Sequence, residues 1–384
     1  MAEKPTQKYR DLAIETPLGE DVLLLISMAG TERLGRLFEY QLELASEDPQ
    51  LKAEKIVGQN VTIRLELGAG RTRYFNGHVS RFTQVTAYGR LARYRATVVP
   101  WLWFLTRAAD CRIYQDQKIP DIIEAVFKKH ELKDFKESLS GSYSKWEYCV
   151  QYRETDFDFV SRLMEQEGIY YFFKHENGKH TLVLADSSGA HEPYRELDKL
   201  EYHPADKGTK TEDCVADWVV ETHLQPISYA LKDFNFKNIR DDLLTRANVN
   251  GAQAKADFEN FEIYDYPGKY TKAGDGEGYA RKRIEELAAQ YEVATVSSDS
   301  GGICTGFTFD LTGHPDDARN GSYLVTSAAY KIEGDEFFSA SQPSEAIIAC
   351  SFTAIGADQA FRTPRTTPKP SIVSCRRVLK APIH

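Results

Sequence analysis

Polar and apolar residues alternate with a period of two through much of the first hundred positions. Phe38, Tyr40, Leu42 and Leu44 interleave with Glu39, Gln41 and Glu43, and Val61, Ile63, Leu65 and Leu67 with Thr62, Arg64 and Glu66. Tyr94, Ala96 and Val98 do the same against Arg93, Arg95 and Thr97. Successive side chains of a strand point to opposite faces, so each run predicts a strand with one dry and one wet side. Asn76-Gly77 predicts a type I′ hairpin between Arg73–Phe75 and His78–Val85, and Tyr88-Gly89-Arg90 predicts another turn. Short strands with turns about every eight to twelve residues predict a small antiparallel barrel or sandwich.

The period changes after Pro100. Trp101-Leu102-Trp103-Phe104-Leu105 reads as a core or interdomain plug, because apolar residues surround both tryptophans. Pro120 and Asp121 open an amphipathic helix through Ile122, Ile123, Val126 and Phe127, ending near Lys128-Lys129-His130. The most informative stretch runs from Tyr152 to Phe173. Thr155 is placed as N-cap with Asp158 in the capping-box slot, and Phe159, Val160, Leu163 and Met164 share one face. Gly168 supplies a left-handed stop on which Ile169 folds back. The four aromatics Tyr170-Tyr171-Phe172-Phe173 predict a strand covered on both sides. Asp156 and Asp158 read as helix-start acids, and Glu165 and Glu167 as the end of a solvated face.

Asn177-Gly178 predicts a second hairpin, joining Tyr170–His175 to His180–Ala185. Asp186–Pro204 reads as a surface loop, Val215–Phe236 as strand, and Ala247–Phe261 as a short helix. Gly274-Asp275-Gly276-Glu277-Gly278 reads as a flexible loop before a helix whose apolar stripe is Ala280, Ile284, Leu287, Ala288 and Tyr291. Phosphate binding there is disfavoured, because both intervening residues are acidic and no apolar strand precedes. Strand patterns return at Gly306–Leu311, Tyr323–Val325 after Asn320-Gly321, and Ala346–Ala354. The order of strand, turn with Asn-Gly, strand, strand thus recurs, which predicts two related β units. Phe361–Pro370, rich in proline and threonine, should run extended as a linker.

Composition narrows the function. Lys and Arg total 48 against 57 Asp and Glu, a net charge of −9 in 384 residues. That balance disfavours nucleic acid or an anionic membrane as main partner. Met1–Leu12 carries no signal-peptide core, and the longest apolar run, Val22–Ile26, is far too short to span a bilayer. Six cysteines without a C-x-x-C pair read as reduced thiols.

Candidate chemistry is sparse. The sequence has no H-E-x-x-H, G-x-S-x-G, Walker A or EF-hand motif. His175 and His180 flank a turn and could face each other, but two imidazoles with no third ligand make a poor metal site. No catalytic, cofactor-binding or metal residue is nominated, and no cofactor is expected. A glycan hydrolase or glycan-binding module stacking sugars on Trp101, Trp103, Trp146 or Trp218 is the alternative from another class. It would need two converging acids, and the sequence nominates none.

The Tyr152–Phe173 string, the Trp101–Ile113 stretch with its following helix, and Tyr264-Asp265-Tyr266-Pro267-Gly268-Lys269-Tyr270 resemble the VgrG family. VgrG proteins are the spike-hub components of bacterial type VI secretion systems, related to contractile-tail phage hubs and late-control gene D proteins. The resemblance covers Leu18 to Pro370 and departs at Ser371–His384, so the β-helical spike of the family is not expected in this chain. It implies a non-enzymatic homotrimer seated on the hexameric tube protein Hcp, with baseplate components and effectors as further partners and a membrane met only by puncture. It also implies a protein cytoplasmic before firing and then secreted through the type VI machine; a phage-type tail hub shares the fold. The expected architecture is β-rich α+β: two related antiparallel β-barrel domains with an intervening helix-containing α/β region. The expected boundaries are 1–105 for the first barrel, 106–235 for the mixed connecting domain, 236–362 for the second barrel with helices, and 363–384 for a linker and tail stub.

Overall fold

The computed structural model describes residues 5–85, 90–195, 197–203, 214–249, 261–334 and 345–370. The turn expected at Tyr88-Gly89, most of the helix expected over Ala247–Phe261, and the tail after Pro370 lie outside the described residues.

The alternating runs form six strands: β1 (Leu12–Glu15), β2 (Leu24–Arg33), β3 (Glu39–Ser46), β4 (Asn60–Glu66), β5 (Thr72–Val85) and β6 (Ala92–Val99). They pair antiparallel in the order β1-β4-β5-β6-β3-β2. Tyr40, Leu42 and Leu44 of β3 turn inward while Glu39, Gln41 and Glu43 face out. Among the described residues no backbone ladder joins β1 to β2; a single side chain spans the gap. The buried Gln7 amide accepts the N–H groups of Ile14 (2.9 Å) and Leu25 (3.0 Å) and donates to the carbonyls of Ile14 (3.2 Å) and Leu23 (3.1 Å). It stands in for a peptide group and closes the ring. Gln7→Ala would orphan those groups at a cost of about 1–3 kcal/mol. Amide exchange should then accelerate at Ile14 and Leu25, and unchanged exchange at both would refute this closure.

One expectation fails here. Asn76-Gly77 makes no hairpin but sits in the middle of β5, with Asn76 opposite Thr62 and Gly77 opposite Val61. The glycine serves close approach rather than a turn: a Cβ there would lie 2.6 Å from Val98 Cγ1 and 2.8 Å from the Val99 carbonyl oxygen.

The chain then leaves the ring. A 3-10 turn over Trp101–Arg107 leads to β7 (Ala109–Tyr114), α1 (Ile119–Lys129), β8 (Phe135–Ser138), β9 (Cys149–Thr155), α2 (Asp156–Glu167), β10 (Tyr170–Glu176) and β11 (Lys179–Ala185). β7 pairs with β9, and β10 and β11 form the hairpin expected at Asn177-Gly178, with β8 parallel on its flank. The four aromatics of β10 are buried on both sides. Tyr171 and Phe173 join the main core, while Tyr170 and Phe172 pack with Leu34, Phe307, Leu324 and Ile355.

A second ring follows. It is built from β12 (Lys199–Tyr202) and β13 (Cys214–Thr222), then, after an excursion through β14 (Ser228–Leu231), β15 (Thr245–Asn248), β16 (Glu262–Asp265) and α3 (Ala273–Ala288), from β17 (Glu292–Ser298), β18 (Thr308–Thr312), β19 (Gly321–Glu333) and β20 (Ile347–Gly356). The order β18-β12-β13-β17-β20-β19 closes because β19 pairs with both β20 and β18. The two junctions made by β12 are parallel. Two staves of this ring thus come from 199–222, inside the range expected to connect the barrels, and Asp186–Pro204 contains a strand rather than only a loop. The glycines at 274–278 lie inside the opening turns of α3 rather than before it. Gly276 leaves room for the Tyr270 ring, which a Cβ would meet at 2.4 Å.

The rings are fused edge to edge. Gly321–Leu324 of β19 pairs with β18, and Ser327–Glu333 of the same strand pairs with β2. The switch falls at Thr326, where the β19–β20 register shifts and the Thr326 carbonyl accepts the Leu34 N–H at 2.9 Å. All twelve strands of the two rings therefore share one continuous sheet. Among the described residues no helix is long and apolar enough to cross a membrane.

Candidate functional site

Helix α2 starts and stops as its sequence predicts. Thr155 Oγ1 accepts the Asp158 N–H at 3.0 Å and donates to Asp158 Oδ2 at 2.7 Å. Gly168 takes φ 69°, and the Ile169 N–H reaches back to the Met164 carbonyl at 2.9 Å. Asp156 stands in the first turn as expected but is buried, and the solvated-face reading of Glu165 and Glu167 does not hold: the three are 0%, 4% and 5% exposed. Burying a carboxylate is costly unless it is paired, and each has long-range partners that local pattern could not reveal. Asp156 meets His130 Nε2 at 2.6 Å, Gln151 Nε2 at 2.6 Å and Lys129 Nζ at 3.3 Å. Glu167 accepts from Lys282 Nζ (2.7 Å), Tyr279 Oη (2.9 Å) and Trp146 Nε1 (3.2 Å), tying α2 to α3. Burial and this carboxylate push the Tyr279 phenol above its ordinary range.

Glu165 holds the outgoing chain. It accepts the Thr367 N–H at 3.0 Å, the Thr367 hydroxyl at 2.9 Å and Arg36 Nη1 at 3.2 Å. Arg36 Nη2 donates in turn to the Pro364 carbonyl (3.1 Å) and Thr366 Oγ1 (2.9 Å). Arg362 pairs with Glu285 at 2.9 Å and donates to the carbonyls of Gly168 (2.9 Å) and Asp186. Thr363 is buried against Gly35, where a Cβ would lie 2.1 Å from its hydroxyl. The segment Phe361–Pro370 is extended, as its composition predicts, but it is a docked strap rather than a free linker. It is threaded between the turn after β2, the C-terminal end of α2, and α3. The signal available in the sequence was charge: Arg362, Arg365 and Lys369 complement Glu165, Glu285 and Glu286. Glu165→Ala is expected to speed amide exchange at Arg365, Thr366 and Thr367 while leaving β10 protected, at a stability cost of about 1–3 kcal/mol. Unchanged exchange in the strap would remove Glu165 from this role.

A second polar group lies at the heart of the molecule. His175 and His180 stand opposite each other on the β10–β11 hairpin, their ring centroids 6.0 Å apart. Both rings are committed to the protein. His175 Nδ1 accepts the Asn76 N–H at 3.0 Å and its Nε2 points at Tyr40 Oη at 3.4 Å; His180 Nε2 accepts the Trp101 N–H at 2.9 Å and its Nδ1 donates to Asn76 Oδ1 at 2.7 Å. An imidazolium would set N–H against N–H at each backbone contact, so these partners require the neutral tautomers. Burial lowers both, His175 to about 4 and His180 well below its ordinary value, with Glu32 and Arg73 acting on His175 in opposite directions. The unfolded chain therefore takes up these protons first as the pH falls. Stability is full above pH ~7 and is lost between about 6.5 and 4, by roughly 1–2 kcal/mol at pH 5 from His175 alone. Urea midpoints should fall from pH 8 to pH 5, and a flat profile would contradict this assignment.

Trp101 and Trp218 are buried and Trp103 and Trp146 partly covered, so none of the four offers an open stacking platform. Among the described residues no group of three His, Cys, Asp or Glu side chains is arranged to hold a metal ion. The geometry is one of anchoring: fused rings, a pinned core and a held strap.

Comparison with known proteins places this architecture. The family model for the phage tail baseplate hub (GPD) matches residues 31–336. The chain belongs to that hub family. Within it, the chain is homologous to VgrG proteins. It is 43% identical over 366 residues, 95% of its own length and 56% of the relative's, to the type VI secretion system spike protein VgrG1a of Pseudomonas aeruginosa. The chain spans about half the length of the curated relatives it matches. Among solved structures, the Escherichia coli c3393 protein shares the hub fold with TM-score 0.65 at 21% identity, covering 93% of this chain and 80% of that one. That protein is described as a type VI secretion component structurally similar to the T4 bacteriophage tail proteins gp27 and gp5. A tail protein of Neisseria meningitidis shares the fold with TM-score 0.60 at 8% identity, covering 91% of this chain and 99% of its own.

Proposed function

We propose that this hub chain is the structural base of a type VI secretion spike, a homotrimeric platform that seats on an Hcp-like tube and carries the membrane-puncturing spike. The observation that carries the reading is the pair of six-stave rings fused in one sheet. Three such chains about one axis present six rings, which matches a sixfold tube end without any symmetry change in the partner. The strap bound by Glu165 and Arg36 is the element through which load passes between the platform and whatever follows it. In this reading the chain turns over no substrate. It works by shape and rigidity, with baseplate components and effectors as further partners, and it leaves the cytoplasm through the machine it belongs to. A phage-type tail hub is the second reading; 43% identity to a secretion spike protein against 8% to the Neisseria tail protein favours the first.

Deleting the gene in its own host should abolish release of tube protein into the medium, and the purified chain should leave cell-wall glycan intact. Undiminished tube release, or measurable glycan hydrolysis, would overturn the proposal.

A further inference from the structure

Beyond Glu165 the strap carries more positive charge than its surroundings neutralise. Arg365 and Lys369 of the strap, Arg283 of α3 and Lys269 of the turn after β16 line one polar recess together with Gln166 and Asp265. The recess is partly open to solvent. Arg283 is 2% exposed. Among the described residues two carboxylates pair with these four cationic side chains, and Arg283 Nη2 also donates to the Glu165 carbonyl at 2.6 Å. Glu286 is taken by Arg283 at 2.5 Å and by the Arg365 N–H at 3.1 Å, while Asp265 lies 3.8 Å from Arg365. Lys369 Nζ meets only the Gln166 amide oxygen, at 3.1 Å, and among the described residues no ion pair joins the Lys269 or Lys369 ammonium to a carboxylate. Burial, and then the neighbouring cations Lys269 and Arg365, lower Lys369 to about 8; burial and Arg365 lower Arg283 to about 10. Like charges gathered in a recess repel, and an anion among them reverses the sign of that interaction.

We propose that this recess binds a phosphate-class oxyanion, held between Arg365 and Lys369 of the strap and Arg283 and Lys269 of the body. Guanidinium forks and ammonium groups are the donors a tetrahedral oxyanion recruits. The bound anion fastens the strap to α3, adding to the Arg362–Glu285 pair and the Arg365 N–H bond to Glu286 already between them. This goes beyond the hub reading and does not depend on it.

The test is titration of inorganic phosphate into the full chain at pH 7 and constant ionic strength, with chloride as the balancing salt. Calorimetry should show one saturable site, and amide exchange over residues 365–369 should slow as it fills. Lys369→Gln and Arg365→Gln should each weaken binding by about tenfold; Arg365→Gln also removes a hydrogen bond to the buried Tyr229 hydroxyl, so Lys369→Gln is the cleaner variant. Chloride reproducing the effect at equal ionic strength would overturn the proposal, as would unchanged affinity in both variants.

Discussion

Arg73→Ala is expected to destabilise the chain by about 3–5 kcal/mol, a large part of what holds any domain folded. Arg73 is 1% exposed and reaches from β5 across to the second ring. Its guanidinium donates to the carbonyls of Gly301 (2.8 Å) and Ile303 and to the Tyr330 hydroxyl (2.9 Å), and stands 3.7 Å from Glu32. The rings of Phe75 and Tyr330 lie 4.3 and 4.7 Å from it. Alanine would leave Glu32 buried with only the Tyr40 and Tyr330 hydroxyls, at 2.7 and 3.3 Å, and would take the Arg73 donor from the Gly301 carbonyl, while the Ile303 carbonyl keeps the Tyr330 hydroxyl at 3.0 Å. The cost thus comes from what is left unpaired as much as from what is lost. Removing both charges with Arg73→Met and Glu32→Leu should recover much of it, so the double variant is expected to be more stable than Arg73→Ala. Urea unfolding of the three proteins reads this directly; a loss under 1 kcal/mol in Arg73→Ala would show that the rings do not depend on this pin.

Asn76→Ala carries the second largest expected effect, about 2–4 kcal/mol. Asn76 is 0% exposed and its amide group has four close partners: the two hydrogens of Nδ2 are shared among Asn60 Oδ1 (2.7 Å), Thr62 Oγ1 (2.8 Å) and the Val61 carbonyl (3.2 Å), and Oδ1 accepts from His180 Nδ1 (2.7 Å). Through His180 it fixes the β10–β11 hairpin against β4 and β5. The variant should lower the urea midpoint and expose the Trp101 and His180 contacts to faster exchange. Wild-type protection at Trp101 would contradict this network.

The same residue shows where sequence reading succeeds and where it cannot. Asn177-Gly178 turns a hairpin because its flanks, Glu176 and Lys179, pair with each other and lie in solvent. Asn76-Gly77 has the same local chemistry but is paired with β4, with the Asn76 N–H given to His175 and the β6 ladder starting at His78, and tertiary pairing overrides the turn preference. A cue was present: Arg73, Phe75, Gly77 and Val79 keep an unbroken inward period of two through the dipeptide. Local rules gave α2 its cap, stop and apolar face, and gave β3, β4 and β6 of the first ring, because those features depend on near neighbours; β1 and β2 went unpredicted and β5 was split at Asn76-Gly77. The clamp depends on partners such as Glu165 and Thr367, two hundred and two positions apart. Spacing along the chain carries no such information, and Glu165 therefore looks solvated until the strap is laid over it. The recurrence that predicted a second ring counted Asn76-Gly77 as a turn and so rested on a false match, and pattern could not show that β12 joins that ring through parallel pairing, since four residues in a polar stretch are a weak strand signal.

The central claim is that three chains supply six rings to a sixfold tube end, and cryo-electron microscopy of the chain assembled on a hexameric tube ring tests it most directly. The account predicts three copies about one axis, with six β-rings in register over six tube subunits and the three straps leaving on the opposite side. A single copy on the ring, or three copies whose two rings stand at unequal radii so that only one meets the tube, would contradict it.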